Sequence, residues 1–204
     1  MAAQDKRKVP VAGIVFGVIA LVLVAIVLFA GDASQEAAET GSPVVTGSLL
    51  PLQQGMTPSN DPTVGTQAPT VVGADFEGST VEIQPGTPTA VVFVTHWCPF
   101  CQAEVPSVQQ WIDATGGVDG VDVIAVSTAV DQTRGNYPPS KWLEREGWSS
   151  PIIADDADSG AYRAFGGTAF PYWVFLDGDG KVVQRRLGGI EPNELQAIME
   201  SLKN

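Results

Sequence analysis

From Thr89 to Thr95 the chain reads TAVVFVT, and His96-Trp97-Cys98-Pro99-Phe100-Cys101 follows at once. A near-continuous apolar, β-branched run of this length predicts a strand buried on both faces, the kind found in sheets covered by helices. Cys98 and Cys101 are the only cysteines among 204 residues, so the whole supply of thiols stands at the end of that strand. Open α/β sheets place their functional groups at such strand ends.

The surrounding pattern alternates strands with helices. TVVGADFEGSTVEI (70–83) reads as strand, turn at Glu77-Gly78, strand. From Pro99 a helix is expected, with proline at its first position and Cys101, Val105, Val108, Trp111 and Ile112 on one face; Pro106 should kink it. Residues 121–128 predict a second buried strand, 139–148 a short helix, 151–155 a short strand and 159–167 a helix ending in glycine. YWVFLD (172–177) and KVVQRRL (181–187) flank a turn at Gly178-Asp179-Gly180, and Leu195, Ile198, Met199 and Leu202 share a face of a last helix over 192–202. The sum is an α/β sandwich with a mixed sheet.

Ahead of this domain, residues 9–30 carry no charge over 22 positions, roughly 33 Å of helix, enough to cross a bilayer's hydrocarbon core. Lys6, Arg7 and Lys8 precede the run while Asp32, Glu36 and Glu39 follow it, so residues 1–8 are expected in the cytoplasm and everything after residue 31 outside. The competing reading is a cleaved signal peptide with Gly31-Asp32-Ala33 as its cleavage site, but the run is longer than a signal's apolar region. Residues 31–64, rich in Gly, Ser, Thr, Pro and Gln without periodicity, read as a flexible linker, which puts the start of the domain at Gly65. Residues 1–8 hold a net +2 of the chain's −12, leaving −14 on the remainder. Such a surface excludes electrostatic binding of nucleic acid or anionic lipid.

Three chemistries can use two cysteines. Zinc wants about four ligands, and the pair plus the single His96 falls short of that without outside help. A structural disulfide across two intervening residues closes so small a loop that the chain-entropy model gives it little stabilising effect. A redox couple explains the placement. Cys98, at the cap of the helix, faces unpaired backbone N–H groups and the positive end of the helix dipole, which favour a thiolate. Cys101, one turn inside on the apolar face, is shielded. Cys98 is therefore expected to attack or be attacked by the substrate, and Cys101 to resolve the mixed disulfide.

Trp97-Cys98-Pro99-Phe100-Cys101 after an apolar strand, Pro106 in the following helix and Phe170-Pro171 ahead of YWVFLD resemble the thioredoxin superfamily. More narrowly, Gly65-Thr-Gln-Ala-Pro69, Cys101-Gln-Ala-Glu104-Val-Pro106 and the extra helix and strand near 139–155 resemble its membrane-anchored TlpA/ResA/DsbE-like branch, over about residues 64–204. The resemblance implies a thioredoxin-like three-layer sandwich with a mixed central sheet, and a thiol-disulfide oxidoreductase, often a reductase in cytochrome c maturation. It also implies a cis Pro171 facing the cysteines, with the Phe170 backbone open to an extended substrate segment. Where ordinary thioredoxins carry a buried aspartate this chain has Val92, and Glu104 is the family's candidate proton acceptor.

His96 is a candidate for supporting the Cys98 thiolate or, more simply, an exposed strand-end histidine. Trp97 either shields the disulfide or belongs to the core. Asp177-Gly178-Asp179-Gly180 lacks the ligands of a calcium loop and reads as a hairpin turn. The expected function is exchange with protein thiols and disulfides outside the cytoplasmic membrane, with no cofactor beyond the cysteine pair, no metal and an unidentified redox partner. A disulfide-forming oxidase is the rival within that chemistry, since Pro99-Phe100 adds no charge. A thioredoxin-fold copper chaperone is the rival from another class, although such carriers usually have a wider cysteine spacing and a distant histidine.

Overall fold

The computed structural model describes residues 39–57 and 59–203. The run 9–30, expected to span a membrane, lies outside them, and among the described residues no helix is long and apolar enough to cross a bilayer. Strand β4 (Thr89–Val94) is buried at all six positions. It pairs in parallel with β5 (Asp122–Ser127) and antiparallel with β7 (Tyr172–Leu176), and β6 (Ile152–Ala154) and β8 (Val182–Leu187) complete a five-stranded sheet ordered β6-β5-β4-β7-β8. The mixed sheet of the sequence reading is thus present, with β4 at its centre.

Alternation along β4 divides the core. Ala90, Val92 and Val94 join Val105, Val108, Trp111, Trp142, Leu195 and Met199 on the face covered by helices α1 (Pro99–Thr115), α2 (Pro139–Arg145) and α4 (Pro192–Ser201). Val91 and Phe93 point the other way, to Val71, Ile83, Ala161 and Phe165. With period-2 geometry, a strand that is apolar at every position must be covered on both sides. Among the described residues, three of the four helices begin with a proline at the first position, where its missing N–H costs nothing: Pro99, Pro139 and Pro192. Helix α1 continues through Pro106 and ends at Gly116 in the left-handed region (φ 76°).

The second face is covered by α3 (Gly160–Ala164) and by a separate antiparallel sheet, β1 (Val44–Thr46), β2 (Thr70–Ala74) and β3 (Thr80–Ile83). The hairpin over 70–83 was expected; its separation from the main sheet was not. Gly73 makes the crossing over β6 close, since a Cβ there would lie 2.6 Å from Cγ2 of Ile153.

The linker reading of 31–64 is corrected from Glu39 onward. Glu39 is buried, and its carboxylate takes the Ser140 N–H (2.9 Å) and hydroxyl (2.5 Å) at the start of α2. β1 pairs with β2, Leu50 N–H donates to Ala164 O, and Gln53 N–H donates to Gly166 O. Asp61 meets Arg185 of β8 in a fully buried bidentate ion pair, Nε to Oδ2 at 2.7 Å and Nη2 to Oδ1 at 2.8 Å, while Nη1 reaches Pro51 O at 2.7 Å. The partner of each group lies far away in sequence, so a Gly- and Pro-rich composition looked like a tether. The folded body therefore starts well before Gly65.

Removing one partner from a buried pair leaves an uncompensated charge, so Asp61→Ala is expected to cost about 3–5 kcal/mol in urea unfolding, against under about 1 kcal/mol for an exposed pair. Burial by itself would raise the Asp61 pKa, but hydrogen bonds from Arg185 and Thr63 hold it below the usual carboxylate value. The resulting stability is present above the unfolded carboxylate range and lost as pH falls through the lowered folded value. The Asp61→Ala protein should accordingly lose less stability on acidification than the parent.

Candidate active site

β4 ends at Val94, and Thr95 to Trp97 turn the chain into α1 with Cys98 as its cap residue (φ −81°, ψ 122°). Cys98 N–H returns to Thr95 O at 3.2 Å. Both cysteines are free thiols: Cys98 keeps a 7% exposed edge, whereas Cys101 is fully buried. The Cys98 thiol points at Phe170 O, 3.7 Å away, and the Phe170–Pro171 bond is cis. The structure thus brings the Cys98 thiol against Phe170, 72 positions further along the chain, at the cis proline that the resemblance implied.

Burial pushes the Cys101 thiol well above the ordinary thiol range. A backbone hydrogen bond from Thr95 works against that shift, and the neighbouring Cys98 and Glu104 add to it. Glu104, one turn further along α1, is only 6% exposed. Its Oε1 accepts from the Trp173 indole at 2.9 Å and from Ile190 N at 3.0 Å, and Oε2 lies 3.2 Å from the same amide. Burial raises its pKa, while the Ile190 and Trp173 donors pull it back. Gly189 is required beside it, because a Cβ there would stand 2.6 Å from Oε2. The solvated-acid reading of Glu104 is excluded by this seat. Val92, which replaces the expected strand aspartate, lies directly across from Trp173 in the β4–β7 register. The buried carboxylate of this site therefore comes from the helix, held by an indole of the neighbouring strand.

The model of one protein family, Redoxin, matches residues 63–201. This chain belongs to the Redoxin family. The redoxin is 26% identical over 142 residues, 68% of its length and 77% of the relative's, to "Thiol-disulfide oxidoreductase ResA" of Halalkalibacterium halodurans. It is 30% identical over 119 residues, 55% of its own length and 59% of the relative's, to "Soluble secreted antigen MPT53" of Mycobacterium bovis. Its fold matches the crystal structure of StoA from Bacillus subtilis with a TM-score of 0.54 at 22% identity, covering 67% of this chain and 98% of that one. The fold is thioredoxin-like, and the chain is a thiol-disulfide oxidoreductase of the thioredoxin superfamily.

Around the thiols the redoxin builds an aromatic rim. Phe100 projects outward, 71% exposed. Trp97 is half-buried, with its N–H on Ala129 O at 2.8 Å and the Arg134 guanidinium 4.4 Å above its ring, so it walls the site from one side. Phe170 meets Trp97 edge-on at 6.1 Å and stacks on Tyr162 at 4.5 Å. Tyr162 was not singled out in the sequence; burial, with Cys101 nearby, pushes its pKa up to about 12. His96 differs most from expectation. It is fully buried, and both ring nitrogens are bonded to the 131–135 loop, away from Cys98. That loop leads into a second cis bond, Tyr137–Pro138, which the sequence reading missed. Asp177 accepts the N–H groups of Asp179 and Lys181, so the 177–180 turn is a hairpin as expected.

A donor withdrawn from a carboxylate disfavours its charged form. Trp173→Phe should therefore raise the Glu104 pKa further above its parent value, read from the pH titration of its 13C-labelled carboxyl in NMR spectra. A lowered or unchanged value would mean that the indole does not govern this carboxylate.

Proposed function

We propose that this redoxin is a membrane-tethered, extracytoplasmic reductase of protein disulfides. The observation that carries the reading is the inequality of the two thiols, Cys98 at the rim against Phe170 O and Cys101 sealed inside with its proton held on. Cys98 Sγ, as thiolate, attacks one sulfur of a substrate disulfide; the S–S bond breaks and the departing sulfur leaves as a thiolate. The mixed disulfide then has to be resolved by Cys101, which must first lose a proton. Glu104, a buried carboxylate one turn along the same helix, is the group assigned to take it. Cys101 Sγ attacks Cys98 Sγ, the second substrate sulfur leaves, and the two electrons have passed from the cysteine pair to the substrate. A thiol donor outside the membrane re-reduces the pair.

The direction of electron flow is supported by the resemblance of the Cys98–Pro106 segment to the ResA/DsbE-like branch, whose members are often reductases. The compartment is supported by the Lys6-Arg7-Lys8 cluster before the uncharged run 9–30, and by the word "secreted" in the name of the MPT53 relative. The resemblance to ResA-like proteins makes the disulfide of an apocytochrome c one substrate to assay.

The reading is tested with the reduced full-length chain and insulin as the disulfide. The parent should reduce insulin, Cys98→Ser should abolish the reaction, and Cys101→Ser should accumulate a mixed disulfide. Glu104→Gln, which keeps the size and removes the base, should slow resolution and move its pH dependence upward. Resolution rates equal to the parent across about pH 6–9 would remove Glu104 from the mechanism, and insulin reduction by Cys98→Ser would remove the whole assignment.

A further inference from the structure

His96 has its two ring nitrogens committed to one loop. Nδ1 lies 2.8 Å from Gly135 O, and Asp131 N–H lies 3.2 Å from Nε2. A carbonyl only accepts and an amide only donates, so Nδ1 carries the hydrogen and Nε2 presents its lone pair. The ring is fully buried, with Tyr137 edge-on at 6.0 Å. The loop it grips is one that needs a grip. Ala129 (φ 49°) and Asn136 (φ 62°), at its two ends, both sit in the left-handed region without being glycine, and such backbone persists only where the surroundings over-determine it. Residues 132–135 are exposed, so that support cannot come from burial of the loop's own side chains.

The same loop furnishes one wall of the thiol site. Ala129 O accepts the Trp97 indole N–H at 2.8 Å and the Thr95 hydroxyl at 3.3 Å, and Arg134 lies 4.4 Å over the Trp97 ring. Trp97 directly precedes Cys98. We propose that His96 is a positioning residue, a latch that holds the 129–136 loop so that Trp97 and Arg134 form the wall against which a protein disulfide docks. It acts through Trp97 and does not touch the reacting sulfurs. A small disulfide reaches Cys98 without needing that wall, so loosening it penalises large substrates selectively.

The inference rests on the exchange reading of Cys98, and the experiment separates the two. The full-length parent, His96→Ala, His96→Gln and Trp97→Phe are compared for KM and kcat with insulin, for the rate with oxidised glutathione, and for hydrogen exchange at the Asp131 amide. His96→Ala is expected to raise KM for insulin at least about fivefold, with the glutathione rate within about twofold of the parent, and to speed Asp131 exchange. His96→Gln, which keeps one donor and one acceptor, should recover most of the loss. Trp97→Phe, which removes the indole N–H held by Ala129 O and shrinks the ring under Arg134, should raise KM for insulin in the same direction and carries the test if His96→Ala does not fold. A parent inactive on both disulfides would overturn the exchange reading itself. An active parent whose insulin KM is matched by His96→Ala, or a variant losing equally on insulin and glutathione, would overturn the latch alone.

Discussion

Strand β4 turns neither face to water, and the placement of every other element follows from covering it. Its even positions need the helices α1, α2 and α4, and its odd positions need α3 and the small sheet β1-β2-β3. Parallel pairing with β5 on one side and antiparallel pairing with β7 on the other satisfy its backbone. Because β4 is held so firmly, the turn after Val94 delivers Cys98 to a fixed point. Because β7 is its neighbour, the residues just ahead of Tyr172 arrive at that same point from the opposite direction. The contact between the Cys98 thiol and Phe170 O is therefore a consequence of sheet order.

The polar groups of the interior are placed by a second requirement, that a buried charge find partners. Glu104 finds an indole and an amide, and Arg185 finds a carboxylate and two carbonyls. These two constructions sit on opposite faces of the sheet and serve different ends. The Arg185 pair fastens the 50–66 stretch to the face carrying α3, and that stretch in turn holds the loop leading to Phe170: Gln53 N–H bonds Gly166 O and the Thr168 hydroxyl bonds Gln53 O. Glu104 instead places a carboxylate near the resolving thiol, inside the helix-covered core.

Local pattern carried much of this architecture. Runs such as TAVVFVT and YWVFLD are legible because burial on both faces leaves a continuous apolar signature, and the helix starts are legible because proline marks them. The thiol pair was legible for the same reason, since its position follows from the strand before it. What stayed hidden depends on distant partners. Nothing in KVVQRRL distinguishes Arg185, fully buried, from Arg186, which meets Glu194 at the surface. Nothing around Glu39 or Asp61 signals that residues 101 and 124 positions away will receive them. His96 looked like a loose strand end because its partners are backbone groups of a loop with no periodicity.

At the site, one helix turn separates a thiol with an edge at the surface from a thiol with none, and the division of labour between attack and resolution depends on that difference. The most direct test is the order of alkylation in the reduced, folded protein at neutral pH, followed by mass spectrometry of the two cysteine positions after brief exposure to iodoacetamide. Cys98 should be labelled first, with Cys101 protected until the protein is unfolded. Labelling of Cys101 ahead of Cys98, or of both at the same rate, would contradict the assignment of their roles.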